Sequence, residues 1–366
     1  MNGVAVTKSY RVVTHTRASA LAGMIAIGLI LVAAILPPFA SRAIIQDMFF
    51  ILTMLKLAQL WNLLAGYGGM VSVGQQAFVG IGAYAMFGSV ILFGWDPVPA
   101  IAMGGAAALI LAVPSAYFAF RLQGAYFVIG TWFVAEITRL LIAQWKALGG
   151  GTGTSLPREA TGHILGVAQV QGLFGVREAA ARDILAYWLA LALAVVTIAA
   201  IYLLLRNRLG LALAAVRDNT EAAKSVGVDA GRMKWFVYLI ASFGTGLTGA
   251  LIYMQTARIS PDAAFSVSNW TAYVIFIVVI GGIGRIEGPI VGVLVFYILQ
   301  STLSDFGSWY LLTLGLFAIV VMLFAPRGLW GVIADRGQVA LFPIRRRLEA
   351  IGPVAGTFQH KKEDEK

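Results

Sequence analysis

Cysteine is absent from all 366 residues of the sequence, so the chain can form neither a disulfide framework nor a thiolate metal site. Histidine is scarce, since only His15, His163 and His360 are present, and no two of them have metal-ligand spacing. The sequence also shows no cluster of histidine with acidic residues, which a membrane-embedded enzyme would need. We therefore predict no catalytic residues, no bound metal and no cofactor.

A phosphate-binding loop is missing as well. The most glycine-rich connection carries Gly149, Gly150, Gly151 and Gly153, but it lacks the Gly-Lys-Ser/Thr ending of a P-loop. No other stretch supplies this ending. The chain is thus predicted to have no ATP site of its own and not to be an enzyme.

Charge is also sparse. Charged residues make up 12% of the chain, whereas 59% of its residues are hydrophobic. A water-soluble domain of this length does not need so much apolar surface, and apolar runs of about 20 residues indicate helices that span a membrane. The formal net charge of +10 does not indicate nucleic-acid binding, because the basic residues lie between the apolar runs and at the two ends.

The apolar runs predict an all-α integral membrane protein with about ten transmembrane helices, some of them Gly-rich and broken. The first span ends at Pro37 and Pro38, and its length favours an uncleaved helix over a signal peptide. The later spans are predicted at about 43–65, 70–92, 98–120, 124–145, 184–205, 234–256, 268–284, 289–303 and 308–325.

Lysine and arginine concentrate in alternate connections, which predicts that both ends of the chain are cytoplasmic. On this topology residues 1–18 form a cytoplasmic segment, 19–330 the transmembrane permease domain and 331–366 a cytoplasmic tail. The basic connection 206–234 lies on the cytoplasmic side, and the long loop 146–183 lies outside. The cytoplasmic side also carries the Gly-rich turns 66–69 and 281–288.

The third span combines glycines with two adjacent amides, since Gly74, Gln75, Gln76 and Gly80 all lie near its start. Glycines allow close helix packing, but they also mark broken helices whose backbone groups line a pathway. The glutamine amides offer both donors and acceptors to a zwitterionic solute. Close packing and a substrate pathway both stay open, and these four residues are our candidate pathway residues.

The fifth span contains a carboxylate. Glu136 and Arg139 are three residues apart and can pair on one face of a helix. Charges at membrane depth are expensive, and they therefore indicate a pathway or an inter-helix contact. If the span is shifted, the pair lies at the membrane surface instead. Glu136 is the fifth candidate pathway residue.

The basic segment 206–234 has the periodicity of an amphipathic helix at 211–226. The predicted apolar face consists of Leu209, Leu213, Val216, Ala223 and Val226. Arg217 and Glu221 stand at i and i+4 and can pair, and Gly227 stands where a helix stop belongs. The segment either faces a partner at the membrane surface or forms a solvated, positive loop.

Four stretches resemble the motifs of one protein family. They are NLLAGYGGMVSVGQQAFVGIGAYA (62–85), AVRDNTEAAKSVGVDAGRMKWFVYLIASFGTGLTGAL (215–251), GGIGRIEGPIVG (281–292) and LFAPRGLWG (323–331), in the family's order. By these motifs the sequence is identified as a member of the permease subunits of branched-chain amino acid ABC importers, of the second, longer subunit type.

The resemblance implies a subunit that moves branched-chain amino acids across the bacterial cytoplasmic (inner) membrane. Two related permease subunits form the pore, two ATP-binding subunits dock on the cytoplasmic side, and a soluble solute-binding protein delivers the substrate. Urea, short amides and other small carboxylates are the alternative substrates within the family. Membrane lipid surrounds the subunit, and no nucleic acid is involved.

By the same resemblance, Glu221, Ala222, Ala223 and Gly227 fall on the motif that contacts the ATPase. Arg217 joins these candidate coupling residues because its spacing allows it to pair with Glu221. The main competing interpretation is an ion-coupled secondary transporter. Such a protein needs its own buried carboxylates, and Glu136 is the sole acid clearly within a span.

Overall fold

Helices account for most of the described chain, which in the computed structural model comprises residues 8–13, 17–162, 164–303, 306–337, 341–342 and 347–353. The three histidines lie outside these residues. Their lack of metal-ligand spacing therefore stays a prediction.

The elements are as follows in chain order. The helices are α1 Arg17–Ile35, α2 Arg42–Asn62, α3 Gln75–Phe93, α4 Pro97–Ala119, α5 Ala125–Ala143, α6 Arg158–Gly162, α7 Val167–Phe174, α8 Glu178–Arg206, α9 Arg208–Asp218, α10 Thr220–Ser225, α11 Ala230–Thr256, α12 Pro261–Ala264, α13 Tyr273–Gly281, α14 Glu287–Leu303, α15 Ser308–Phe324 and α16 Gly328–Gly337. The strands are β1 Lys8–Val13, β2 Thr154–Ser155, β3 Arg258–Ile259 and β4 Arg347–Pro353.

Eight helical stretches of the described chain are long and apolar enough to cross a membrane. They are Arg42–Tyr67, Gln75–Phe93, Pro97–Ala119, Ala125–Ala143, Glu178–Arg206, Ala230–Thr256, Pro261–Gly281 and Trp309–Ala334. Two shorter apolar helical stretches, Leu21–Ile35 and Glu287–Leu303, coincide with the remaining predicted spans. The prediction of an α-helical membrane protein is confirmed, whereas the count of ten spans stays a prediction.

The second and third spans are joined by a helix break. Helix α2 continues as a π-helical turn, Leu63–Tyr67, and the chain is then non-helical until Gln75, so α3 begins five residues later than predicted. Side chains bind the non-helical backbone of this break: the Trp61 indole N–H donates to the Ser72 carbonyl (2.8 Å) and the Val73 N–H to Thr131 Oγ1 (3.1 Å). These bonds matter because a membrane offers no water to backbone groups that leave a helix.

Glycines form the contact at which α3, α4 and α11 meet. Gly82, Gly104 and Gly246, one from each helix, face one another. A Cβ atom on Gly82 would lie 2.6 Å from Gly246 Cα, and one on Gly104 would lie 2.6 Å from Ala250 Cβ. Only residues without side chains permit this backbone approach. We call these three glycines the glycine junction.

The predicted outer loop 146–183 is mostly structured. It contains α6 and α7, and α8 already begins at Glu178. Val167 and Val170 of α7 pack on Ile184 and Tyr187 of α8. The two-residue strand β2 pairs antiparallel with β3, so this loop is fastened to the end of α11.

Two terminal strands were not predicted from the sequence. Strand β1 pairs antiparallel with β4, with Lys8 opposite Pro353 and Val13 opposite Arg347. The pairing holds the first and last described segments of the chain against each other. Sequence periodicity could not reveal it, because the two strands are more than 300 residues apart.

Candidate functional site

The segment that resembles an ATPase-contacting motif folds as two helices, so the predicted single helix over 211–226 is wrong. Helix α9 ends at Asp218, and Asn219 is extended, with φ −158° and ψ 108°. The Asn219 Oδ1 atom accepts hydrogen bonds from the N–H groups of Glu221 and Ala222, both at 3.0 Å. An asparagine side chain can replace a backbone acceptor in this way, and it therefore starts α10 as a new helix.

The predicted pair of Arg217 with Glu221 is also wrong. Arg217 binds Asp218 Oδ1 through Nε (3.0 Å) and Nη2 (2.9 Å), while Glu221 binds Lys224 Nζ at 2.9 Å. The break at Asn219 causes this exchange, because it removes the continuous turn that an i,i+4 pair requires.

Burial divides the predicted coupling residues into two groups. Ala223 is 2% exposed and packs with Val216, as its place on the predicted apolar face implied. Glu221, Ala222 and Gly227 are exposed. Gly227 has a φ of +84° and follows the end of α10, as predicted for a helix stop. Val226 was expected on the apolar face, but it is exposed because α10 ends at Ser225.

Arg217 connects this segment to the transmembrane bundle. Its Nη1 atom donates to the Gly66 carbonyl oxygen at 3.2 Å. Gly66 lies in the π-helical turn and packs on Gly284, since a Cβ on Gly66 would lie 2.8 Å from Gly284 Cα. The two Gly-rich turns recognised in the sequence therefore meet beside α9.

Two polar side chains of α2 hold this meeting point, and sequence reasoning missed both. Asn62 accepts from the Gly284 N–H (2.8 Å) and donates to the Arg285 carbonyl (2.9 Å). Gln59 donates to the Ile286 carbonyl at 2.7 Å. The sequence did contain a signal for them, because two amide side chains stand three residues apart at the end of a mostly apolar span.

The two glutamines of α3 lie in the interior of the subunit, each about 1% exposed. Gln75 donates to Thr245 Oγ1 at 2.8 Å. Gln76 receives a hydrogen bond from the Thr271 hydroxyl, and its own N–H donates to that hydroxyl oxygen at 3.3 Å. The Gln76 side-chain nitrogen has no partner among the described residues. The side-chain amide of Gln76 is therefore a buried hydrogen-bond donor without an acceptor among the described residues.

The glycines of the same stretch lie at close contacts. A Cβ on Gly74 would lie 2.9 Å from the Thr131 carbonyl carbon, and one on Gly80 would overlap the Phe265 ring. Close packing, one of the two open interpretations, is therefore visible at both glycines.

Glu136 forms the predicted ion pair with Arg139, with 2.6 Å between Oε1 and Nη2. Arg139 also binds Asp262 of α12 at 2.7 Å, so the pair makes an inter-helix contact between α5 and α12. The Glu136 side chain is 38% exposed and shares no hydrogen bond with either glutamine in the described chain.

A cavity of about 570 Å³ opens at the end of the bundle opposite α9 and α10. It is lined by Arg42, Gln46, Phe49, Phe50, Thr53, Met54, Arg182, Asp183, Ile252, Gln255, Thr256 and Trp270. We call it the polar cavity. Its charged residues stand at the starts of α2 and α8, which the sequence patterns had not brought together.

Asp183 organises the charge in the polar cavity. It is 6% exposed, and it accepts from Arg42 Nε (2.5 Å), Gln46 Nε2 (3.1 Å) and Gln255 Nε2 (3.4 Å). These three donors come from α2 and α11, whereas Asp183 belongs to α8. The carboxylate therefore fastens three helices at one end of the bundle.

Further along α2, Lys56 is 2% exposed, and its ammonium group has no hydrogen-bond partner among the described residues. Of the two ways in which a lysine fits into a membrane span, Lys56 therefore faces the bundle rather than the membrane surface. Within the described chain, no group of three His, Cys, Asp or Glu residues could hold a metal ion.

Comparison with known proteins agrees with the motifs. Residues 44–326 match the family described as branched-chain amino acid transport system / permease component. Two similar proteins are the high-affinity branched-chain amino acid transport system permease proteins LivM of Escherichia coli (strain K12) and Salmonella typhimurium. Each is 29% identical, over 83% and 82% of this chain respectively and over 73% of the relative's own length.

A further relative is the probable branched-chain amino acid transport permease protein LivH of Methanocaldococcus jannaschii, 27% identical over 36% of this chain and 44% of its own. No solved structure matches the chain significantly. The wider coverage by the LivM proteins supports the longer subunit type that the motifs predicted. Because the family match runs from α2 to the end of α15, the chain belongs to the branched-chain amino acid transport permease family.

Proposed function

We propose that this chain is the permease subunit of an ABC importer that moves branched-chain amino acids inward, driven by ATP hydrolysis on partner subunits. The family match over residues 44–326 carries the proposal. The matched range includes α9 and α10, the segment proposed to contact an ATP-binding subunit. The sequence lacks a P-loop, so ATP hydrolysis is assigned to partner subunits. The proposed partners are a second permease subunit, two ATP-binding subunits and a soluble solute-binding protein, in a bacterial inner membrane.

Uptake is expected to depend on ATP hydrolysis by a partner. Replacing the phosphate-binding lysine of the ATP-binding subunit should abolish leucine uptake by the reconstituted complex, because that lysine contacts the β- and γ-phosphates. The assay is radiolabelled leucine uptake into proteoliposomes that contain ATP. Undiminished uptake, or uptake driven by a sodium or proton gradient through the chain alone, would favour a secondary transporter.

We also propose ten spans with both ends in the cytoplasm. The pairing of β1 with β4 supports an even number of crossings, because it holds the first and last described segments together. The arginines and lysines of segment 206–234 support a cytoplasmic position for that connection.

Cysteine labelling checks this topology without background from the chain itself, since the chain contains no cysteine. Gly151 and Asp218 are both exposed, and a Cβ on Gly151 would meet open space. A membrane-impermeant maleimide added to intact cells should label Gly151→Cys, and it should label Asp218→Cys only after permeabilisation. Labelling of both variants from the same side would contradict the topology.

The exposed part of segment 206–234 is the proposed docking surface for an ATP-binding subunit. Glu221, Ala222 and Gly227 are accessible, whereas Ala223 is buried and Arg217 is bound to Gly66. We therefore assign contact with the ATP-binding subunit to Glu221, Ala222 and Gly227. Ala223 and Arg217 hold the segment in place against the bundle.

Gln75 and Gln76 are the proposed polar residues of the substrate pathway. Gly74 borders the helix break beside them, Gly80 packs closely within α3, and Glu136 is a further proposed member. The unused amide donor of Gln76 supports this role, because a buried unpaired donor is expensive unless it meets a ligand or water. Gln75 can exchange its bond to Thr245 for one to a solute.

Gln76→Leu is expected to lower leucine uptake at least about tenfold while the complex still assembles, since the loss of one buried hydrogen-bonding group costs on the order of 1–3 kcal/mol. Gln75→Leu should act in the same direction. The matched control is Gln169→Leu on α7, whose side chain is exposed. Normal uptake in both α3 variants would assign the two glutamines to packing.

A further inference from the structure

The polar cavity has the composition of a binding site for a free amino acid. Its volume of about 570 Å³ falls in the range of small-molecule sites, and it combines charged with apolar lining residues. We propose that the polar cavity binds the ammonium and carboxylate groups of an aliphatic amino acid at the end of the bundle opposite the docking surface. This proposal rests on the function proposed above.

The ammonium group of the solute is assigned to Asp183. This carboxylate is buried and forms an ion pair with Arg42, whose own side chain is 56% exposed. A buried carboxylate needs a cationic or hydrogen-bonding partner, but an exposed arginine can leave while an ammonium group takes its place. Gln46 and Gln255 keep their hydrogen bonds to Asp183 during this exchange.

The carboxylate of the solute is assigned to Arg182, the neighbour of Asp183 on α8. Arg182 lines the polar cavity and is partly buried. It makes no hydrogen bond or ion pair with any other described residue. A guanidinium group offers two parallel N–H donors to one carboxylate, and Arg42, once released from Asp183, supplies a second cation nearby.

The side chain of the solute is assigned to the apolar lining. Phe49, Phe50 and Met54 of α2 lie on one side of the polar cavity, with Ile252 and Trp270 completing the set. The Trp270 indole N–H is already bonded to the Ala263 carbonyl at 2.8 Å, so its ring offers no free donor. These residues favour a hydrocarbon side chain over a charged one, because an unpaired charge there would lose its hydration.

Thermal unfolding of the purified permease–ATPase complex, without a solute-binding protein, tests the site directly. A ligand that binds only the folded protein raises its Tm with concentration. L-leucine should raise the Tm, whereas equal concentrations of leucinol, which has no carboxylate, and 4-methylpentanoate, which has no ammonium group, should raise it far less.

Arg182→Gln should increase the leucine concentration needed for a given Tm shift at least about tenfold. The matched control is Arg177→Gln, which removes the same charge from an exposed residue directly before α8 and outside the polar cavity. This control should respond to leucine like the unaltered complex.

Three results would overturn the site: no leucine-dependent shift in the unaltered complex, equal shifts with both analogues, or equal responses of Arg182→Gln and Arg177→Gln. The analogue series needs no variant, so it can overturn the site even if Arg182→Gln does not fold. A complex that imports leucine but shows no shift contradicts the site alone. A complex that shows the shift but has no ATP-driven uptake contradicts the proposed function and leaves the site standing.

Discussion

Gly82→Ala is expected to destabilise the whole bundle, because the added methyl group would enter the glycine junction. A Cβ atom there would overlap the Gly246 carbonyl oxygen and lie 2.6 Å from Gly246 Cα, and both are backbone atoms that cannot rotate away. Overpacking a close-packed core typically costs about 1–3 kcal/mol of stability. The cost of Gly82→Ala is expected at the upper end of this range or above it, because α3 and α11 must separate. The measurement is thermal unfolding of the purified protein.

Gly88→Ala is the control, since it makes the same substitution on the same helix. A Cβ on Gly88 would meet only Leu148 Cδ1, at an ordinary distance of 3.6 Å. Alanine is a better helix former than glycine by up to about 1 kcal/mol, so Gly88→Ala should leave stability unchanged or slightly higher. Equal Tm values for the two variants would show that the glycine junction is not closely packed.

Ala222→Trp is expected to release the ATP-binding subunit from the complex. Ala222 is exposed at the start of α10, and a tryptophan there would separate the docking surface from a close-fitting partner without disturbing the segment itself. We expect retention of the ATPase on the purified permease to fall at least about tenfold, which corresponds to about 1.4 kcal/mol of binding free energy.

The control for steric bulk is Leu173→Trp, on α7 at the opposite end of the bundle. Leu173 is 73% exposed and lies outside the docking surface, so this variant should retain the ATPase fully. Ala223→Trp is less informative, because Ala223 is 2% exposed and its replacement would unfold α10. Full retention and coupled uptake by Ala222→Trp would exclude this segment as the docking element.

Local sequence signals predicted the apolar parts of the fold better than its polar segment. The spans were visible because a membrane helix needs a long apolar run in one piece. The glycine cluster 66–69 indicated a turn before α3, but α3 begins five residues later than predicted. The prediction of a single helix at 211–226 was wrong, because the apolar periodicity continues through Asn219. The Asn219 side chain replaces a backbone acceptor there, and a hydrophobic pattern does not show such a replacement.

Burial decided which candidate residues are accessible, and the helical periodicity predicted it only in part. The periodicity placed Ala223 and Val226 on one apolar face, yet Ala223 is buried against Val216 whereas Val226 is exposed. Likewise, Gln76 could be singled out as polar, but only its contacts reveal that one amide donor is unused. Accessibility depends on neighbours that are distant in the chain.

The sequence by itself determined the class of this protein, because hydrophobicity, basic-residue bias and family motifs are all properties of contiguous residues. Only the tertiary structure decided which distant groups meet. Arg42, Asp183 and Gln255 come together in the polar cavity, and Asn62 holds Gly284 although more than 200 residues separate them. The physical reason is that a polar group buried in a membrane protein is costly without a partner, and packing of the helices, not chain position, determines which partner is within reach.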